Sequence, residues 1–190
     1  VFAPFTAAND DHRFRIEHAQ HLRLGDGRLF AEQGVIASIQ PIHLSSDRPW
    51  AIDRLGQQRI KEGAYIWRDL LNSGVIVASG TDAPVEPVDP IANFYAAVTR
   101  KTLKGIPETG FEPAQKLTRM EALHAMTLAA AYAAFEEQDK GSIEVGKLAD
   151  LTVLNQDLTT VPEVEILNTE VLLTMVGGEV VYQREEAANP

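Results

Sequence analysis

The sequence predicts an α/β fold built on a parallel sheet, followed by a small separate β element. Three observations carry that expectation. Two short, nearly unbroken apolar runs, VIASIQPI at 35–42 and VIVAS at 75–79, read as strands buried on both faces. Stretches with helical periodicity alternate with them, which is the order of βαβ units. After Gly141 the pattern changes, and GKLADLTVLN and VLLTMVGGEVVYQ read as further strands.

Taken in order, residues 14–18 form a short first strand ending in His18. A helix is expected over 22–33, stopped by Gly34. The second strand, 35–42, runs into a polar loop from His43, and a single helix is expected over 58–72 with Gly74 as its C-terminal cap. The third strand, 75–79, ends in GTDAPVEP, and a helix follows over 91–101. A longer helix is expected over 119–135, opened by a Thr118/Glu121 capping box, with Met120, Leu123, Thr127, Ala130 and Ala134 on its packed face. Near the end, Gly177-Gly178 marks a tight hairpin turn. The organisation expected is a core over 1–140 and a β segment with its tail over 141–190. Two or three strands cannot cover both of their own faces, so this segment calls for partner strands from elsewhere.

Composition narrows the function classes. A net charge of −10, from 17 basic against 27 acidic residues, disfavours nucleic acid and anionic membranes as partners. No apolar run approaches the roughly 20 residues of a membrane span, and the first residues lack the features of a signal peptide. The chain starts without Met, as a trimmed product would. With no cysteine, a metal site would rest on histidine and carboxylate, which suits zinc, iron or manganese. The cytoplasm is the default compartment.

Position points to chemistry. In parallel α/β folds, ligands and catalytic groups gather at the carboxyl ends of strands. Here the three strands end in His18, in Gln40-Pro-Ile-His43 and in Thr81-Asp82. Two imidazoles and a carboxylate are the donors a divalent metal accepts, with positions left open for water and substrate. Each also has a structural reading: a histidine hydrogen-bonded at a strand end, or an aspartate capping a turn. His124 reads as a packed or surface residue. Arg48, Trp50 and Arg54, on the loop after the second strand, have two readings, as residues that shape the substrate pocket or, foremost, as a surface helix with solvated charges. Asp150 reads as a turn or strand-end hydrogen bond.

Three motifs, RIEHAQ at 15–20, SIQPIHLSSD at 38–47 and SGTDAPVEPVDP at 79–90, together resemble amidohydrolase family 3, the branch that includes N-substituted formamide deformylases. TRMEALHAMTLAAAYAA, KGSIEVGKLADLTVLNQDL and a closing VGGEVVY follow in the same order, so the resemblance covers nearly the whole chain. It implies that the three strands are strands six to eight of a (β/α)8 TIM-type barrel, and that the last segment belongs to a small β-sandwich domain. It implies a divalent metal, zinc first among the candidates, with one or two in a complete site. His18 and Asp82 are the implied metal residues. Asp82 and His43 are the implied catalytic residues, with Asp82 taking a proton from water, and His43 and Gln40 the implied substrate contacts. Arg15 and Glu17 are expected to point away from the barrel interior and pair beneath the helices.

The family's other metal-site residues, an H-x-H pair after strand one, a mid-barrel bridging ligand and a histidine after strand five, have no match here. His12 and His21 do not stand at matching places. The resemblance therefore implies hydrolysis of an amide-type C–N bond in a small molecule, with the chain inactive unless the N-terminal half of the barrel, or a second copy, is supplied. The alternative is a non-catalytic half-barrel that self-associates or assembles with a partner chain. A third reading is a barrel enzyme without metal, in which His18 and Asp82 are structural.

Overall fold

The computed structural model describes residues 3–6 and 11–185. After a short helix α1 (Ala3–Thr6), three strands form a parallel sheet in the order β1 (Arg15–Glu17), β2 (Ile36–Ile39), β3 (Val77–Ser79). Glu17 pairs with Ser38 and Ile39 with Ser79, so the three strands end side by side. The mixed α/β architecture expected from the apolar runs is the one observed.

Between β1 and β2 lies α2 (Asp26–Glu32), shorter than the 22–33 expected. Between β2 and β3 lie α3 (His43–Ser46), α4 (Arg48–Leu55), α5 (Gln57–Gly63) and α6 (Trp67–Asn72). The helix expected over 58–72 is thus broken at residues 64–66. The cause is remote in sequence: the loop after β1 inserts against the break. Leu22 N donates to Gly63 O at 2.8 Å, Tyr65 N donates to Gln20 O at 2.9 Å, and His21 forms a bridge with Ala64. A Cβ on Gly63 would lie 1.9 Å from Leu22 O, so the approach requires glycine. Tyr65 takes φ +55, a left-handed conformation disfavoured for a bulky side chain.

After β3, α7 (Pro90–Thr99) is capped by the Asp89 carboxylate, which accepts from Ile91 N and Ala92 N. The expected capping box of Thr118 and Glu121 is present and opens α8 (Arg119–Met126), but the helix breaks at Thr127 and resumes as α9 (Leu128–Ala133). Gly141 packs into that break, where a Cβ would meet Leu128 Cα at 2.9 Å. The packed face agrees with expectation only in part: Leu123 packs against the main core, but Thr127 and Ala134 are exposed. Ala122, Ala125, Ala129, Ala131 and Ala133 are buried, whereas Met120 is 65% exposed. Small side chains let this helix pair lie close to β3, where Ala133 joins Ile36 and Ala78 in a small cluster.

The main core lies on the other face of the sheet. Ile16, Ala37, Ile39 and Val77 pack there with Phe30 of α2, Trp67 and Leu70 of α6 and Phe94 of α7. Ile16 therefore lies under the helices, while Arg15 and Glu17 pair with each other on the opposite face, where Arg15 also reaches Ala133 O. This reverses the expected facing of Arg15 and Glu17, because the strand's alternation ends where β1 turns into a left-handed backbone at His18 (φ +68) and Ala19 (φ +42).

The last three strands, β4 (Leu151–Leu154), β5 (Val171–Val176) and β6 (Glu179–Gln183), form an antiparallel sheet. Gly177 and Gly178 make the expected hairpin turn, and Asp150 accepts from Gly177 N at 2.7 Å, the turn role read for it. The β4–β5 connection does not stand apart: Leu158, Val161 and Ile166 join the main core. Among the described residues, β1 and β3 each keep one unpaired edge. An apolar groove lined by Ile16, Leu22, Leu29 and Val35 lies on the β1 side, and one lined by Leu71, Ile76, Leu117 and Met120 on the β3 side. No helix among the described residues is long and apolar enough to cross a membrane.

Candidate metal centre

Backbone geometry delivers three side chains to one rim. His18 follows β1 and Asp82 follows β3, each on a left-handed residue (φ +68 and +61), and His43 opens the first helical turn after β2. That turn starts where the strand reading had continued, because His43 N and Leu44 N donate to Gln40 O and Pro41 O. Asn93 of α7, 1% exposed, ties the rim together: its Oδ1 accepts from Ile42 N and its Nδ2 donates to Ser79 Oγ. Non-glycine residues held at positive φ cluster where a site requires a particular side-chain direction.

The result is a compact group. His43 Nε2 lies 3.8 Å and His18 Nδ1 4.0 Å from Asp82 Oδ2, and the two rings are 5.7 Å apart. Each of the three residues offers one ligand atom, and these atoms lie within 4.8 Å of one another. Two ligands on opposite sides of one zinc ion would be separated by about 4.2 Å, twice a Zn–N distance of about 2.1 Å. The group closes on one ion with a small side-chain movement, and His18, with 47% of its side chain exposed, is free to make it.

The histidines are oriented by amides. His18 Nδ1 bonds Gln40 Oε1 at 2.8 Å, and His43 Nδ1 bonds Gln20 Oε1 at 3.2 Å. A carbonyl oxygen only accepts, so in this arrangement His43 carries its proton on Nδ1 and leaves Nε2 as a lone-pair donor to a cation, while His18 turns Nδ1, the atom nearest Asp82, to Gln40. His43 is 5% exposed, and its Nε2 is buried with no hydrogen-bond partner. A buried polar atom without a partner carries a penalty of about 1–3 kcal/mol. A cation ligated there removes it. The residues present thus fit a divalent metal of the His/carboxylate type.

His18, Asp82, His43 and Gln40 all gather at this rim, with Gln40 buried behind His18. His12 stands apart, between Phe14 N and Gln33 O. His21 packs edge-on against Tyr65, where burial lowers its pKa. Trp50 is half exposed, and Arg48 stacks over Phe111. Gln20 and Asp47 close the motifs at 15–20 and 38–47 but carry no expected role there, and the sequence does not single out Tyr65 or Asn93, since single amides and hydroxyls carry no spacing signature.

The family comparison decides the membership: the model described as "Amidohydrolase family" matches residues 3–182. The chain belongs to the amidohydrolase family. Among curated proteins it is 35% identical over 184 residues to Protein LONG AFTER FAR-RED 3 of Arabidopsis thaliana, covering 96% of this chain and 31% of that protein. It is 31% identical over 178 residues to N-substituted formamide deformylase of Arthrobacter pascens, covering 93% of this chain and 32% of that enzyme. Among solved structures it resembles an uncharacterized metal-dependent hydrolase from Pyrococcus horikoshii, with a TM-score of 0.70 and 32% identity, over 82% of this chain and 31% of that one. This amidohydrolase chain therefore spans about a third of the length of the relatives it matches.

Proposed function

We propose that this chain supplies strands six to eight, and one side of the metal centre, of a (β/α)8 hydrolase that cleaves an amide-type C–N bond in a small molecule. One observation carries the reading. At three adjacent strand ends, His18, His43 and Asp82 present ligand atoms within 4.8 Å, one of them a buried, unpartnered imidazole nitrogen. Similarity to the formamide deformylase supports the C–N bond as the target, and similarity to the Pyrococcus protein supports dependence on a metal.

A divalent cation held by these residues, zinc first among the candidates, supplies Lewis acidity to water and to a carbonyl oxygen. Asp82, about one-third exposed, is within reach of water. It takes the proton as the water oxygen attacks the amide carbon, and returns it to the nitrogen as the C–N bond breaks. His43 holds its Nε2 toward the centre with its Nδ1 engaged by Gln20, while His18 faces Asp82 through Nδ1, which also bonds Gln40. His43 in this tautomer serves as a ligand. It donates to a substrate oxyanion only if its proton moves to Nε2.

The open edges of β1 and β3, each with its apolar groove, support assembly with further strands, either of the same barrel or of a second copy. A chimera tests the reading, with this chain replacing the matching third of the Arthrobacter deformylase. Hydrolysis of N-substituted formamides is expected, and Asp82→Asn should lower its rate by about 10²–10⁴-fold. A chimera that folds, binds zinc and is unaffected by Asp82→Asn would contradict the role given to Asp82.

A further inference from the structure

Behind His43 lies a hydrogen-bonded relay that the hydrolytic reading does not use. Gln20 Nε2 donates to Asp47 Oδ2 at 3.1 Å and to Tyr65 Oη at 3.1 Å, while its Oε1 faces His43 Nδ1 at 3.2 Å. Tyr65 Oη in turn donates to His43 O at 3.4 Å. An ionised carboxylate only accepts, so Asp47 dictates which end of the Gln20 amide faces it. The carbonyl end is then left for His43, and only an Nδ1–H imidazole can meet it. We propose that Gln20 is the positioning residue that fixes His43 as the Nδ1–H tautomer and thereby presents its Nε2 to the metal centre, with Asp47 as the group that sets the amide's direction.

The backbone around this relay is specialised to hold it. Gln20 O accepts from Tyr65 N at the break between α5 and α6, so one residue is fixed by its main chain and its side chain together. Tyr65 is 1% exposed and sits at φ +55. Arg100, fully buried at φ +58, donates from Nη1 to Tyr65 O at 2.8 Å and lies over the Trp67 ring. The left-handed turn of Tyr65, disfavoured for a bulky side chain, is therefore held from behind by a buried guanidinium. Without that turn the Tyr65 hydroxyl would not stand beside both Gln20 and His43. Gln20 is partly buried and meets the centre at His43; its Nε2 also lies 3.4 Å from His21 Nε2.

The tautomer claim stands in the metal-free chain, while its effect on affinity rests on the proposed metal centre. The experiment uses the 190-residue chain with ¹⁵N-labelled histidine. It reads the His43 Nδ1 and Nε2 shifts by long-range ¹H–¹⁵N correlation above the ordinary histidine pKa of about 6.5, and titrates Zn²⁺ by calorimetry. The parent should show a single Nδ1–H tautomer at His43. Gln20→Leu should bring in the Nε2–H tautomer and weaken Zn²⁺ binding by about 10–100-fold, the usual effect of losing a ligand's orienting partner. Gln20→Glu combined with Asp47→Asn keeps an acceptor facing Nδ1 and should restore the parent tautomer. An unshifted tautomer in Gln20→Leu overturns the proposal, whatever the zinc affinity. A shifted tautomer in a chain whose parent binds no zinc upholds the relay and contradicts the metal reading alone. Should Gln20→Leu fail to fold, Asp47→Asn decides: it frees the Gln20 amide to turn, so a second His43 tautomer is expected, and a single unchanged one overturns the proposal.

Discussion

At the scale of single residues, the two histidines of the centre differ in a way that separates ligation from stability. His18 leaves nearly half of its side chain in solvent, while His43 is buried under the rim with its Nε2 unpartnered. His18→Ala should lower Zn²⁺ affinity at least tenfold while costing folding stability only what the lost Gln40 hydrogen bond contributes, roughly 0.5–1.5 kcal/mol. His43→Ala should lower both, because it also strands the Gln20 carbonyl that His43 Nδ1 now satisfies. Urea unfolding beside zinc calorimetry checks the pair. These ligand candidates were legible because each stands at the carboxyl end of a strand that the sequence predicts. Gln20 and Asp47 were not, since their roles depend on a hydrogen-bond direction set across 27 residues.

At the scale of elements, every break in the expected helices is made by a segment distant in sequence, which is why periodicity overlooked it. The α5–α6 break exists because the loop after β1 presses on Gly63. Gly63→Ala should force a backbone shift, destabilise the fold by about 1–3 kcal/mol and disturb the His43 tautomer through Gln20, all readable in one NMR sample. The start of α8 was legible, since a capping box is local. Its energetics extend further: Arg68 forks onto the Glu121 carboxylate and, with the Thr118 hydrogen bonds, holds Glu121 at about 2, below the usual 4.5. A carboxylate whose pKa is lowered by folding stabilises the fold above its unfolded value. That contribution should be complete above pH 4.5 and disappear as the pH falls toward 2. Arg68→Met should flatten the urea midpoint across that window, and an unchanged slope would remove the pair from the account. The same helix misled on its packed face, because alanines, which carry little hydrophobic signal, are the residues that touch the sheet.

At the scale of the molecule, the parallel sheet is bounded among the described residues by two bare edges, each beside an apolar groove. Such edges recruit strands, so the chain alone should sediment as more than a monomer, and Ile76→Lys, which charges the groove beside β3, should reduce that association. A stable monomer at tens of micromolar would contradict it. The α/β class and the separate β element were legible in the sequence, while the way the β4–β5 connection enters the main core was not, because Leu158, Val161 and Ile166 lie in a stretch without strand or helix periodicity. The central claim is that His18, His43 and Asp82 together hold a divalent cation. The most direct test is the X-ray absorption spectrum of the zinc-loaded chain. The account predicts nitrogen and oxygen neighbours at about 2.0–2.2 Å, with the outer-shell scattering of two imidazoles, falling to one in His43→Ala. A shell of oxygen alone, or a spectrum that His43→Ala leaves unchanged, would contradict it.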